Sequence, residues 1–300
     1  MNRLTPAKRA QVIGCLVEGM SIRSTCRITG VAKGTATKLL VDLGDACSAY
    51  MNETLVDLPC ERIQADEIWA FVGKKAARQT PEERAAFGTG DVWTWVAIDA
   101  DTKLVPSYYV GQRTTEDAYA FLSDLAGRVT KRIQLTTDSW KAYLVAVEEA
   151  FGRDVDYAQL HKIYGRVRDL DAERRYSPPV CLGIDVRVKS GDPDPDHIST
   201  SYVERQNLTM RMGMRRFTRL TNAFSKKVEN LAAAISIHFL HYNFARVHKT
   251  LGVTPAMAAG VSDHVWTLSE IIALLEAVED AKPRKRGPYK KRERAGSDSN

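Results

Sequence analysis

Residues 61–73, with the sequence ERIQADEIWAFVG, decide the fold of this chain. Polar and apolar residues alternate along the stretch, which is typical of a β-strand that buries one face. Two similar runs follow after a polar loop: VWTWVAIDA at 92–100 and KLVPSYYVG at 103–111, joined by a turn at Asp101 and Thr102. Three strands in direct succession predict an antiparallel meander.

Beyond the meander, helical and strand patterns alternate. A helix is predicted at 114–129, a strand at 132–138, a helix at 140–151 and a strand at 154–160. This order predicts a mixed sheet covered by helices on its faces, which is an α/β fold. The next segment, 162–200, is rich in proline and aspartate, and we expect it to be an irregular insertion.

The first 50 residues predict a small all-α domain. Helices begin at the capping residues Thr5 and Ser21, and the second helix ends at Gly30. A short turn and a third helix complete a helix-turn-helix pattern. Polar residues that could reach base edges lie near the start of the third helix: Lys33, Thr35, Thr37 and Lys38. We expect this unit to bind double-stranded DNA; a three-helix bundle with no DNA role would show the same pattern.

The remaining boundaries follow from composition and periodicity. Residues 51–262 are predicted to form the main domain, with a long helix at 224–248, and a C-terminal helix is expected at 263–280. The last segment, 281–300, holds eight basic and two acidic side chains and is predicted to be a disordered tail. The formal net charge of +6 equals the excess in this tail, so the rest of the chain sums to zero. DNA binding by the folded body must therefore depend on local segregation of charge.

Such segregation occurs at 202–227, where Glu204 is the only acid. Seven bases follow it: Arg205, Arg211, Arg215, Arg216, Arg219, Lys226 and Lys227. Apolar residues recur at helical spacing from Val203 to Phe217, and Arg211 lies about two helical turns after Glu204, on the same side. We interpret this stretch as a helix whose acid holds a cation and whose bases contact phosphates. A solvated amphipathic helix is the alternative.

Composition argues against several other classes. No apolar run reaches the roughly 18 residues that span a bilayer, and the start has no apolar signal core, so a cytoplasmic protein without a membrane partner is expected. The five cysteines are scattered without a CxxC pair. They predict buried free thiols and no zinc site.

Three carboxylates stand where a mixed sheet could gather them. Asp66 lies in the first strand, Asp138 ends the strand at 132–138, and Glu204 lies on the late helix. Carboxylate oxygens bind hard cations, so the set predicts Mg²⁺ or Mn²⁺, as two ions, and phosphoryl transfer. Glu67 should point to the opposite face of a regular strand and is expected to have a structural role or to contact the metal ligands without binding the metal.

The motifs that carry these acids resemble a known family. The strings DEIW at 66–69, TDSWKAY at 137–143 and ERQNLTMR at 204–211, followed by LTNAFSKK at 220–227, look like those of the insertion-sequence-one transposases. Members of this family are DDE enzymes with an RNase H-like fold. Residues 241–260 also look like the C-terminal signature of several transposase and integrase families.

The resemblance implies cleavage at transposon ends and joining of the freed 3′-hydroxyl to target DNA. It implies Asp66, Asp138 and Glu204 as metal ligands, Arg211 as a basic neighbour of the site, and a homo-oligomer on terminal repeats and target DNA. The chain lacks the N-terminal cysteine motif that family members often carry, so metal-free recognition of the ends is expected. A nuclease of the same fold without strand transfer and a non-catalytic regulator remain open.

Overall fold

The computed structural model describes residues 3–85, 88–165, 180–218 and 222–281. Its centre is a six-stranded mixed sheet with the order β3-β2-β1-β4-β5-β6. The strands are β1 Arg62–Val72, β2 Gly90–Asp99, β3 Ser107–Gly111, β4 Ile133–Asp138, β5 Val155–Gly165 and β6 Val180–Ser190. β1, β2 and β3 pair antiparallel, β4 pairs parallel with β1 and β5, and β6 returns antiparallel to β5. The predicted meander and the mixed α/β class are confirmed.

Helices flank this sheet and precede it. Within the described residues they are α1 Pro6–Val17, α2 Ile22–Thr29, α3 Lys33–Thr54, α4 Pro81–Ala85, α5 Thr115–Ala126, α6 Ala142–Phe151, α7 Ser201–Gly213, α8 Val228–Leu240, α9 Pro255–Ala258 and α10 Leu268–Ala281. None of these helices is both long enough and apolar enough to cross a membrane.

Alternation along β1 and β2 directs side chains to different helices. Trp95 lies opposite Glu67 in the register and packs against Phe121 of α5 and Tyr143 of α6, with ring centroids 6.0 and 5.7 Å apart. The neighbouring residue Asp66 contacts α7 instead. The sheet therefore has α5 and α6 on one face and α7 on the other, as period-two alternation requires.

The N-terminal helices share one continuous hydrophobic core with the rest of the chain. α3 packs against α8 so closely that a Cβ added to Gly44 would lie 2.4 Å from the Cβ of Ala233. α10 packs against α1 and α3, and Arg9 Nη2 donates to Glu279 Oε2 over 2.9 Å. The predicted C-terminal helix thus contacts the helix-turn-helix unit. The domain boundary at residue 50 stays a prediction, and α3 continues past it.

Three sequence expectations are wrong in part. Residues 180–190, expected to be irregular, form β6, because alternating aliphatic residues there extend the sheet beyond β5. The helix expected over 202–217 ends at Gly213, where the turn at Gly19 comes so close that a Cβ there would lie 3.1 Å from the Gly213 carbonyl oxygen. The helix expected at 224–248 is also shorter, since α8 gives way to a π-helical turn at His241–Ala245.

The cysteines follow the prediction of burial unevenly. Cys47 and Cys60 are buried, Cys15 and Cys26 are half-buried, and Cys181 is exposed on β6. Cys181 departs from the expectation because β6 is the outermost strand of the sheet and its side chains meet solvent. The predictions for Arg219 and for the basic tail beyond Ala281 lie outside the described residues.

Candidate active site

The fold brings two of the predicted carboxylates together. In the parallel pair of β1 and β4, Ala65 lies opposite Thr137, and Asp66 and Asp138 are the next residues of the two strands. Their side chains are therefore neighbours, although 71 residues separate them in the chain. Parallel alignment of strands accounts for this meeting, because residues that follow a paired position stay side by side.

The Asp66 carboxyl group is buried and has other acidic side chains as neighbours. Its Oδ2 atom accepts a hydrogen bond of 2.8 Å from Nδ2 of Asn207 on α7. Burial raises the pKa of Asp66 to about 7, and the negative charges of Glu67, Asp138 and Glu204 add to the shift. A cation beside this carboxyl would reverse that penalty, since an opposite charge nearby favours the ionised form.

Glu67 points to the other side of β1, as predicted, but its carboxylate still reaches the site. It accepts a hydrogen bond of 2.6 Å from Arg113 Nε and one of 2.9 Å from the Tyr143 hydroxyl. One ligand oxygen from each of Asp66, Glu67 and Asp138 lies within 4.8 Å of the others, a spacing that could hold a metal ion. The structure therefore adds Glu67 to the candidate ligands, beyond the structural role that alternation alone indicates.

Glu204 lies in the first turn of α7. Its carboxylate accepts a hydrogen bond of 2.6 Å from the Thr200 hydroxyl and forms an ion pair with Lys162 of β5. It lies outside the compact group of Asp66, Glu67 and Asp138. The start of α7 is fixed to β1, because Gln64 Oε1 accepts from the backbone nitrogen of Tyr202 over 2.8 Å. Glu204 is thus held beside the sheet by its own helix and by a lysine.

Arg113 covers the opposite flank of the acidic group. Its guanidinium lies 4.9 Å from the Trp93 ring centroid and 4.8 Å from that of Trp140. From this slot Nη2 reaches Glu67 Oε1 at 2.5 Å and Asp138 Oδ2 at 3.8 Å. The two rings position the guanidinium, and cation–π attraction supports its charge there.

The bases after Glu204 divide between α7 and a neighbouring turn. Arg211 is half-buried on α7, whereas the 3₁₀ turn Arg215–Phe217 contains exposed Arg215 and half-buried Arg216. Arg216 Nε donates 2.8 Å to the Ser225 hydroxyl, and burial lowers the pKa of Arg216 to about 10. This contact brings the turn next to exposed Lys226 and Lys227. The four residues Arg215, Arg216, Lys226 and Lys227, called the basic turn below, therefore form one cluster despite the early end of α7.

The predicted base-reading residues stand at the start of α3. Lys33, Thr35 and Lys38 are exposed there, and Thr37 is half-buried. Lys38 Nζ contacts Asp42 Oδ2 at 2.5 Å, one turn further along. The helix-turn-helix prediction is confirmed as local structure, because α2 ends at Thr29, Gly30 caps it in the left-handed conformation, and α3 begins at Lys33.

Sequence reasoning missed the side chains that hold the carboxylates. Asn207 lies inside the quoted string ERQNLTMR, and Tyr143 closes TDSWKAY, so both were visible as motif residues without a role. Arg113 and Lys162 gave no local signal. Their contacts depend on strands and loops that only the fold brings together.

A mixed sheet with adjacent carboxylates on its two central strands, flanked by helices, is the RNase H-like arrangement that the resemblance implied. No protein-family model matches the chain. It is 26% identical over 170 residues to the insertion element iso-IS1n protein InsB of Shigella dysenteriae, covering 55% of this chain and 84% of that protein. The resemblance to insertion-sequence-one proteins is confirmed by this similarity.

Several solved structures overlap with the chain at low identity. The simian T-cell lymphotropic virus intasome in complex with PP2A regulatory subunit B56 gamma is 14% identical, covering 98% of this chain and 80% of that one, with a TM-score of 0.34. The Mos1 strand transfer complex is 11% identical, covering 95% of this chain and 81% of that one, with a TM-score of 0.32. The piggyBac transposase synaptic complex with hairpin DNA is 11% identical, covering 93% of this chain and 73% of that one, with a TM-score of 0.37.

Proposed function

We propose that the chain is a DNA transposase that cleaves the ends of an insertion sequence and joins the 3′ ends to target DNA. The adjacency of Asp66 and Asp138 at the centre of the sheet carries this proposal, supported by the similarity to an insertion-element protein. Glu204 is the proposed third acid, held at the start of α7 beside the sheet.

The proposed cofactor is Mg²⁺ or Mn²⁺, as two ions. The donor set fits hard cations, because it consists of carboxylate oxygens. Asn207 Oδ1 is a further oxygen beside Asp66, buried and without a hydrogen-bond partner in the described part of the chain. When bound, such ions activate the attacking oxygen and stabilise the leaving oxygen of a phosphoryl transfer.

The protein's own groups have distinct roles in this proposal. Asn207 orients Asp66 through its side-chain hydrogen bond. The Trp140 backbone nitrogen orients Asp138, because it donates a hydrogen bond of 3.0 Å to Asp138 Oδ1. Arg113 and Lys162 balance the charge of Glu67 and Glu204 in the protein without DNA. Both bases sit at the edges of the acidic group, where a DNA phosphate would meet a positive charge.

The proposed DNA path runs from the acids to the basic turn. The Gly73 nitrogen, just after β1, donates 2.9 Å to the Ser225 carbonyl, so the basic turn lies near the end of the strand that carries Asp66. Seven residues of strand span roughly 23 Å at 3.3 Å per residue. Arg211, Arg215, Lys226 and Lys227 are the proposed phosphate contacts on this path, with Arg219 added from the sequence, and α3 would bind the terminal repeat through Lys33, Thr35, Thr37 and Lys38.

The test combines the full chain with plasmid DNA carrying the native flanks of its gene, in Mg²⁺ and separately in Mn²⁺. Asp66→Asn, Asp138→Asn and Glu204→Gln should each abolish end cleavage and joining while end binding in a gel-shift assay persists. Glu53→Gln changes an exposed carboxylate on α3 and should leave all three readouts unchanged. Cleavage without joining by the unmodified chain would indicate a nuclease, and binding without cleavage a regulator; either result overturns the proposal.

A further inference from the structure

β6 presents an uncovered aliphatic row at the edge of the sheet. Ile184, Val186 and Val188 point to one face and are exposed by 58, 46 and 55%, and Leu182, at an irregularity of the β5–β6 register, is exposed by 69%. β5 pairs with one side of β6, and no strand within the described residues pairs with the other. A long apolar edge strand of this kind is a template for pairing with another chain, and natural proteins usually protect such edges.

The opposite face of β6 carries charge in a symmetric order. Asp185 and Arg187 flank Val186, and Arg187 Nε contacts Asp185 Oδ2 at 2.8 Å within the strand. Around Val186 the sequence reads Ile-Asp-Val-Arg-Val, so equal steps in either direction give two aliphatic residues or two opposite charges. An antiparallel partner with the same sequence would therefore match at every position of this segment.

We propose that β6 joins two copies of this chain, pairing antiparallel with β6 of a second copy about a two-fold axis at Val186. In this register each copy's Asp185 faces the other copy's Arg187, and Ile184 faces Val188. Cross-strand pairs of opposite charge and of β-branched side chains stabilise antiparallel pairing. A two-fold contact uses the same patch on both subunits, and the symmetric order of the segment meets that condition.

The same symmetry favours a second copy over another occupant. A different peptide could pair with the edge and cover the aliphatic row, but it would not require opposite charges two residues apart around a central valine. The contact also borders the candidate site, because Lys162, the partner of Glu204, lies opposite Ile184 in the β5–β6 register. Pairing through β6 goes beyond the proposed function and takes place without DNA or metal.

Charge reversal tests the register on the full chain by analytical ultracentrifugation. The unmodified chain should form a dimer. Asp185→Arg and Arg187→Asp should each weaken self-association at least tenfold, because like charges then face each other twice. The double variant Asp185→Arg with Arg187→Asp should restore it, while Glu53→Arg, at an exposed position on α3, should have no effect. Thermal unfolding measured in parallel identifies any variant that fails to fold.

Disulfide trapping tests the two-fold position independently, in a Cys181→Ser background. Val186→Cys should give a cross-linked dimer on mild oxidation, because residue 186 faces its own copy. Ile184→Cys should not, since residues 184 of the two copies would be offset by four positions, roughly 13 Å along the strand. A chain that stays monomeric, a double reversal that fails to restore the dimer, or trapping at 184 instead of 186 would overturn the proposal.

Discussion

Asn207 of α7 donates its side-chain amide to Asp66 of β1 over 2.8 Å. This bond ties the helix that carries Glu204 to the strand that carries Asp66. Without Asn207 the Asp66 carboxylate would keep the hydrogen bond from the Glu67 backbone, while burial and its acidic neighbours still oppose its ionisation. Asn207 is therefore expected to orient Asp66 for the proposed cation.

Replacing Asn207 with leucine should weaken Mg²⁺ binding while preserving the fold. Loss of a hydrogen bond that orients a metal ligand typically lowers affinity or activity about 10- to 100-fold. Two Mg²⁺ titrations measure this effect, one of the melting temperature and one of DNA cleavage. In each, the quantity compared is the Mg²⁺ concentration that gives half of the maximal increase. Thr209→Val on the same helix is the control, since Thr209 bonds only within α7 among the contacts described. Equal Mg²⁺ dependence in both variants would remove Asn207 from this role.

Arg113 should stabilise the protein by compensating a buried charge. The Glu67 side chain is 2% exposed, and burial raises its pKa while Arg113 acts in the opposite direction. Removing one partner of a fully buried pair costs about 3–5 kcal/mol. Since a third of Arg113 is exposed, we expect Arg113→Ala to cost about 1–3 kcal/mol after allowance for solvent screening.

The double variant Arg113→Ala with Glu67→Gln separates charge from packing. It should recover part of the stability lost in Arg113→Ala, because a neutral amide needs no cation beside it. Urea unfolding of the four proteins in this cycle measures the coupling. Additive losses would mean that the tryptophan contacts of Arg113, and not its charge, account for its effect.

Much of this fold could be predicted from local pattern. The meander, the class of sheet and the helix-turn-helix follow from alternation, helical spacing and caps, all of which act over a few residues. The adjacency of Asp66 and Asp138 could also be anticipated, since both lie on predicted strands of one sheet. Glu204 is proposed from the sequence because it is the only acid among the bases of 202–227.

What could not be predicted depends on contacts between distant segments. α7 ends at Gly213, which lies against the turn at Gly19, some 190 residues earlier. Glu67 was set aside because alternation correctly placed it on the face of β1 opposite Asp66, yet its carboxylate still reaches the site. Arg113 owes its position to two tryptophans on other elements.

His238 should make stability depend on pH. It is buried in α8, its Nε2 has no hydrogen-bond partner among the described residues, and burial, aided by His241 and Arg246, lowers its pKa to about 3. Between about pH 6.5, its ordinary value, and pH 3 the unfolded chain binds a proton that the folded chain does not. The free energy of unfolding should therefore decrease as the pH is lowered across this window, by on the order of 1.4 kcal/mol per pH unit.

His238→Phe removes the titratable imidazole, so the stability of this variant should depend less on pH. The free energy of unfolding, measured by urea at pH 7, 6 and 5, should fall less in the variant than in the unmodified chain. His248→Phe is the control, because His248 is partly exposed and its pKa is lowered without such a large shift. Parallel profiles for the unmodified chain and His238→Phe would show that the folded and unfolded chains bind a proton at His238 to the same extent.

The close packing of α3 on α8 gives a final prediction from two glycines of one helix. A Cβ at Gly44 would lie 2.4 Å from the Cβ of Ala233 and 2.6 Å from its carbonyl oxygen, and backbone cannot move aside cheaply. Gly44→Ala should destabilise the protein by about 1–3 kcal/mol or more, as overpacking of a core does. Gly34→Ala, where nothing lies within 4 Å, should be neutral or stabilising by up to about 1 kcal/mol, because alanine favours the helix. Urea unfolding compares the two, and a Gly44→Ala variant as stable as Gly34→Ala would contradict the close contact between α3 and α8.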